Sequence, residues 1–244
     1  MKSIKKLYGI IVPAIIGLVG CTGMNESIEP YLSQGEIIYI SKPDSAFAYA
    51  GDERFMIRFW MSDPRATRMH IYWSQRTDSL IIPITEDDKK DMIDVYIGDA
   101  DNPIAEGNYT IELVTHDNLG HKSIVDEKVV NVYGEIFEKR VVPKFIKSAK
   151  YRKATNYVPE GIDIVWGSAA SEKEIGVTLY YTGSDGEPKE EFYISSELKN
   201  GLSLENIDLR QPISYVTHFL PEPTAIDTFR TVHEELLFTG SPYQ

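Results

Sequence analysis

A single cysteine, Cys21, stands among the 244 residues. That excludes an internal disulfide framework and any cysteine-built zinc centre. Positive charge is scarce as well. Lys and Arg number 25 against 37 Asp and Glu, a formal charge of −12, so nucleic acid is excluded as a partner because little would displace counterions from a phosphate backbone. No apolar run reaches the roughly 20 residues of a spanning helix; the longest covers residues 7–20. No long 3.6-residue period marks an amphipathic helix. The compact catalytic signatures are missing too: H-E-x-x-H, G-x-S-x-G, G-x-x-x-x-G-K and G-x-G-x-x-G do not occur. What is present suits a folded chain. It is 42% apolar and 25% charged, with 15 Tyr, 9 Phe and 3 Trp, which excludes wholesale disorder.

Lys2, Lys5 and Lys6 precede the apolar run with no acid nearby, the pattern of a secretory signal. The run ends Leu18-Val19-Gly20-Cys21, which resembles the bacterial lipobox. The resemblance implies a diacylglyceryl thioether on Cys21, cleavage before it, and acylation of the freed amine. Each buried CH₂ then contributes roughly 0.8 kcal/mol, and two or three chains make a stable anchor. Residues 1–20 are expected to be a lipoprotein signal peptide, and residues 21–34 the lipidated Cys and a polar tether containing Pro30. Losing residues 1–20 removes three Lys and no acid, leaving 22 basic and 37 acidic residues, or −15. Attachment must therefore come from lipid and not from a basic patch. Thr22, where retained inner-membrane lipoproteins carry Asp, points to the outer membrane. Glu26 and Glu29 fit surface exposure.

From Gly35 onward the period is two. Short β-branched and aromatic runs alternate with Gly, Pro, Asp and Asn clusters. Strands are expected over 37–40, 46–49, 54–61, 69–74, 79–84, 93–97, 109–116 and 122–133. A second set follows at 145–151, 162–166, 176–181, 191–194, 202–204, 214–220 and 228–233. Asp185-Gly186 reads as a type I′ hairpin turn. The expected fold is all-β, two tandem immunoglobulin/fibronectin type III-like β-sandwiches over 35–134 and 135–244, meeting near Gly134. Trp60 with Tyr109 and Trp166 with Tyr215 share a spacing of 49 residues, which suggests a duplication. Leu209 and Tyr215 resemble the fibronectin type III pattern of a Leu below a tyrosine corner. Alternation alone puts Phe55, Ile57, Phe59 and Met61 inward and Trp60 outward. The duplication puts Trp60 inward, and it is the preferred expectation.

Chemistry is thin. His116 and His121 bracket the turn 117–120 without an evident third ligand, so no metal site is expected. Asp99-Ala100-Asp101-Asn102 lacks the Gly and closing Glu of a calcium loop and reads as a solvated turn. Carboxylate pairs among 37 acids have no specificity for glycoside hydrolysis. No catalytic residue and no cofactor is expected. Aromatics are the better lead. If Ile71 and Trp73 point inward, His70 and Tyr72 point outward; by the same rule Tyr180 points outward beside an inward Leu179 and Tyr181. His70, Tyr72 and Tyr180 are the candidate ligand-binding residues, with cross-strand packing as the plain alternative.

The segments Ala50-Gly51-Asp52-Glu53-Arg54, Phe59-Trp60, Ser62-Asp63-Pro64, Ile71-Tyr72-Trp73 and Asp78-Ser79 resemble a lipoprotein family of the Bacteroidota, domain of unknown function 4998. Phe219-Leu220-Pro221-Glu222-Pro223-Thr224-Ala225-Ile226-Asp227-Thr228-Phe229 is similar to the far end of that family's second module. The resemblance implies an envelope lipoprotein of tandem sandwiches associated with glycan capture. The chain ends soon after Phe229, without the carbohydrate-binding sandwich of several relatives, which weakens that implication. Asp227 reads as a turn acceptor. The leading expectation is a non-catalytic outer-membrane lipoprotein, anchored in the membrane at Cys21, that binds a polysaccharide or docks an outer-membrane protein of a glycan-uptake system. The alternatives are a purely structural or protein-interaction lipoprotein and, more distantly, a small hydrolase.

Overall fold

A computed structural model describes residues 38–243 except residue 170. The signal peptide and tether expected over residues 1–34, Cys21 included, lie outside the described residues.

Seven strands form the first sandwich: β1 (Ser45–Ala50), β2 (Phe55–Trp60), β3 (Arg68–Trp73), β4 (Asp78–Pro83), β5 (Ile93–Ile97), β6 (Gly107–His116) and β7 (Asp126–Val132). They pair in two antiparallel sheets, β1-β2-β5 and β4-β3-β6-β7. The second sandwich repeats the plan with β8 (Ile146–Arg152), β9 (Gly161–Trp166), β10 (Glu174–Thr182), β11 (Pro188–Ile194), β12 (Leu202–Glu205), β13 (Ser214–Phe219), β14 (Phe229–Arg230) and β15 (Glu234–Glu235). Its sheets are β12-β9-β8 and β11-β10-β13-β14, with β15 also on β13. A three-strand sheet facing a four-strand sheet, with the fourth strand beside the third, is the fibronectin type III arrangement. The chain is all-β, as its period-two patterning requires.

Each sandwich has its own core. Phe55, Ile57, Phe59 and Met61 from β2 and the residue after it meet Met69, Ile71, Ile111 and Leu113 in the first. Ile162, Ile164 and Trp166 meet Val177, Leu179 and Tyr215 in the second. Strict alternation thus governs β2, and the duplication argument fails there. Trp60 lies outward and 42% exposed, its indole N–H donating to the Lys89 carbonyl at 3.2 Å. The core accepts one register only, because a one-residue slip would turn four fully buried side chains to water. The two tyrosines are not equivalent either. Tyr215 pairs with Leu179 within the sheet and donates to the Lys144 carbonyl at 2.9 Å, so it forms no tyrosine corner. Tyr109, beyond the stretch of β6 that pairs with β3, does: its hydroxyl donates to Ala105, four residues upstream, at 2.8 Å.

The duplication shows elsewhere. Val114-Thr115-His116 and Val216-Thr217-His218 occupy the same places on β6 and β13, since Val114 pairs with His70 and Val216 with the corresponding Thr178. Thr115 and Thr217 are both fully buried. Each donates its backbone N–H to a hydroxyl, Ser123 or Thr231, at 3.0 Å. Each hydroxyl residue returns its own N–H to the same threonine's carbonyl, at 2.9 and 3.0 Å. Asp185-Gly186 makes a turn, but a wider one than expected. Gly183 N–H donates to Glu187 O and Gly186 N–H to Gly183 O. Only Gly186 has a positive φ, +83°, so this is a three-residue loop with a glycine in the left-handed region. Of the expected strand 37–40, the described residues 38–40 make a single bridge, Tyr39 to Lys122, and of 228–233 only β14 is strand, with β15 following beyond it.

Strand directions give the first sandwich two poles. The arriving segment 38–44 and the loops 61–67, 84–92 and 117–125 share one pole. The loops 51–54, 74–77 and 98–106 and Gly134 share the other, which faces the second sandwich. Core position and not residue type should decide stability. Trp166→Ala is expected to cost about 3–5 kcal/mol, whereas Trp60→Ala should cost about 1 kcal/mol or less, both read by urea unfolding. Equal costs would mean that the assigned register of β2 is wrong.

Candidate functional site

The three residues singled out as ligand-binding candidates lie on the outer faces of the larger sheet of each sandwich, β4-β3-β6-β7 and the sheet built on β10 and β13. The fold brings His70 and Tyr72 together and leaves Tyr180 in the other sandwich. His70 Nδ1 is 2.9 Å from the Tyr72 hydroxyl. Arg76 sits 5.2 Å from the centre of the Tyr72 ring and pairs with Glu112. It is held there by Ser74, Gln75 and Arg76, all with φ between +50° and +66°, a left-handed run that non-glycine residues rarely adopt. Tyr72 is therefore half-buried under its own neighbours. Tyr180 likewise packs on the His233 ring at 4.7 Å and donates to Glu190 at 3.2 Å.

His116 belongs with His70, and not with His121 across the turn. The His70 and His116 rings are 4.3 Å apart, and the Nε2 atoms of both are buried without a hydrogen-bond partner. His121 instead contacts Asp117, at 2.6 Å. Among the described residues no group of three or more His, Cys, Asp or Glu is placed to hold a metal ion. The 99–102 segment is a turn closed on Asp99, whose carboxylate accepts from the N–H groups of Asp101 and Asn102. Burial holds His70 below the ordinary histidine value, with Arg68 adding to it. Burial does the same to His116, and His70, Arg68 and Lys122 add to it while Asp117 opposes. The folded chain then binds fewer protons than the unfolded one once the pH falls below about 6.5. Stability contributed by this pair is complete above that pH and is lost as the pH drops through it. The melting temperature is expected to fall between pH 7.5 and 5.5, above the range where carboxylates titrate. His70→Gln with His116→Gln should flatten part of that fall. His218, also lowered by burial, supplies the remainder. An unchanged pH profile in the double variant would refute the assignment.

A more exposed surface lies on the other sheet. On the outer face of β1-β2-β5, Tyr49, Met56 and Tyr96 form one row, and Phe47, Arg58 and Asp94 the next. Trp60 is opposite Ser45 in the row beyond. Phe47 is 49% exposed and Tyr96 55%. Arg58 holds Asp94 through two bonds of 2.6 Å and lies 5.7 Å from the Tyr49 ring centre. Four aromatic rings thus surround one bidentate ion pair. The signal was present in the alternation of β2. Once Phe55, Ile57 and Phe59 face inward, Met56, Arg58 and Trp60 must face out.

The two sandwiches meet through a clasp. The loop after β13 reaches back to the first sandwich, where Asp227 accepts from Arg54 Nε at 2.8 Å, from Arg54 Nη2 at 2.5 Å and from the Asp52 N–H at 3.0 Å. Ile226 N–H donates to Ala50 O at 2.8 Å, and Ala225 packs on the first core. Glu222 accepts from Asn131 at 2.5 Å and from the Tyr133 hydroxyl at 2.8 Å. Tyr133, Phe137 and Phe229 pack edge to face, with the Lys173 ammonium 5.1 Å from the Phe137 ring centre. Gly51 is required because a Cβ there would lie 2.6 Å from the Asp227 carboxylate. The hydrogen bonds from Arg54 hold the Asp227 carboxyl below its usual range. Burial, with Glu53 and Asp227 nearby, pushes Asp52 up. Asp227 is therefore an inter-module acceptor and not a local turn acceptor. The Arg54→Ala/Asp227→Asn double-mutant cycle is expected to show coupling of about 0.5–3 kcal/mol; strictly additive costs would contradict the clasp.

Fold and clasp together define a tandem fibronectin type III-like protein in which the two sandwiches are joined by side-chain contacts. The chain belongs to the family domain of unknown function 4998, whose profile matches residues 21–229. No curated protein is matched. Among solved structures, the chain is similar to the FN1–FN3 domains of chicken CNTN1, at 8% identity over 81% of this chain and TM-score 0.44. It spans 64% of that fragment. A two-domain fibronectin type III segment of chicken tenascin has 13% identity over 82% of this chain and all of that one, TM-score 0.30. The fibronectin(III)-like modules of Clostridium thermocellum CbhA have 12% identity over 78% of this chain and 91% of that one, TM-score 0.38. The strand order, and not these likenesses, defines the fold.

Proposed function

We propose that this chain is a non-catalytic outer-membrane lipoprotein, anchored through Cys21, that binds a neutral polysaccharide at the cell surface on the outer face of β1-β2-β5. The observation that carries this reading is the exposure of Phe47, Trp60 and Tyr96 around the Arg58–Asp94 pair. A sugar ring offers apolar C–H faces beside fixed hydroxyls. Exposed aromatic rings match the first, and a paired guanidinium and carboxylate match the second. Tyr72 and Tyr180 are less suited because both are half-buried, with their hydroxyls already on His70 and Glu190, whereas Tyr96 stays 55% exposed although Arg54 lies near its ring. The charge of −15 expected once residues 1–20 are removed, 22 basic against 37 acidic residues, disfavours polyanionic glycans. Docking of an outer-membrane protein partner on the same face is the second reading, since exposed aromatics and Arg also anchor protein interfaces.

Affinity electrophoresis of residues 22–244 through neutral polysaccharides tests the assignment. Trp60→Ala and Tyr96→Ala are each expected to weaken retention about tenfold or more, while Tyr72→Ala and Tyr180→Ala stay within about twofold. Loss confined to Tyr72→Ala would move the site to the four-stranded face. No retention by a protein with native near-ultraviolet circular dichroism would reject the glycan in favour of the protein partner.

A further inference from the structure

The pole at which the chain arrives is the apolar one. Segment 38–42 runs beside the loop between β6 and β7, with Tyr39 bridged in parallel to Lys122 and Lys42 paired with Asp126 at 3.2 Å. Because β6 climbs towards this pole and β7 leaves it, residue 38 is at the outer end of the segment, beside the loop tip. There Leu119 is 81% exposed and Ile124 59%, and Ile38, Tyr39 and Val125 are exposed as well. Isolated exposed apolar residues mean little, but five around one loop tip form a patch.

We infer that this tip rests on the lipid surface, so that the first sandwich lies against the membrane and is not held clear of it. The inference rests on the proposal of lipidation at Cys21. Sixteen residues lie between Cys21 and Ile38, and the chain arrives beside Lys122, on the loop that carries Leu119. A connection of that length keeps the patch near the membrane at high effective concentration. The acids near the tip are already matched by bases. Asp117 contacts His121, Asp126 contacts Lys42 and Lys128, and Asp63 contacts Arg65. The loop 84–92 at the same pole sets Glu86, Asp87, Asp88 and Asp91 against Lys89 and Lys90, which pair with Glu86 and Asp87; the negative charge left on Asp88 and Asp91 is repelled by anionic lipid. The module is thus tilted onto its β6–β7 loop, and zwitterionic lipid is the favoured surface.

The test places full-length lipidated protein in phosphatidylethanolamine/phosphatidylcholine vesicles with and without brominated acyl chains. Leu119→Trp is expected to add a blue-shifted emission that brominated lipid quenches at least twofold. Leu237→Trp, on the second sandwich, should add one that is not quenched. Adding phosphatidylglycerol should reduce the Leu119→Trp quenching. Equal emission of Leu119→Trp in brominated and unbrominated vesicles would overturn the inference. Mass spectrometry of the Cys21 peptide tests the lipidation separately. Should Cys21 prove unmodified, coupling this sole cysteine to a maleimide lipid repeats the quenching measurement, so the two failures are distinguishable.

Discussion

The bidentate contact between Arg54 and Asp227 fixes how the rest of the molecule is used. Two sandwiches joined only by a linker are expected to move independently. Here the loop after β13 spends its residues on the neighbouring module: a main-chain bond from Ile226 to Ala50, a carboxylate on Arg54, and a second carboxylate, Glu222, on Asn131 and Tyr133. The geometry demands small groups as well as charged ones, since Gly51 lies too close to Asp227 to carry a side chain. Arg54 does one thing more. Its guanidinium lies 5.8 Å from the Tyr96 ring centre, so the residue that closes the clasp also borders the aromatic face. Inter-module order and the candidate ligand surface share a side chain.

The architecture was legible in the sequence because the period-two signal is strong in both halves and because Gly, Pro, Asn and Asp punctuate it. The register of β2 was legible too, from Phe55, Ile57, Phe59 and Met61, and the duplication argument overrode it wrongly. Counting from Trp60 and Trp166 aligned side chains that face opposite ways, for Trp166 is buried in its core and Trp60 is not. The sound repeat is Val-Thr-His, three residues long and unaligned by any aromatic. Its meaning lies in a hydroxyl, Ser123 or Thr231, outside the strands, that replaces a ladder bond, a partner that a single sequence does not name.

The clasp was invisible for a different reason. Asp227 and Arg54 are 173 residues apart, and a Pro-rich loop with one Asp looks locally like a turn acceptor. Two of the segments that carry the family resemblance, 50–54 and 219–229, face one another. Their composition is explained by that meeting: Gly for close approach, Arg and Asp for a forked bond, Ala and Ile for contact without a clash. Neither segment needs a ligand to account for it.

Outer-face composition then separates the two sheets of the first sandwich. On the four-stranded sheet Tyr72 has His70 and Arg76 as internal partners, and Glu112 has Arg76. On the three-stranded sheet the only charged side chains in those central rows, Arg58 and Asp94, satisfy one another, and Phe47, Tyr96 and Trp60 around them stay exposed. A buried pair of this kind would be weak evidence for stability, and this one is exposed, so it contributes little to the fold. Nor does the fold need Phe47, Tyr96 or Trp60 in its core. Side chains that neither pack inside nor solubilise the surface cost the protein solubility, and that cost supports the binding role proposed for this face.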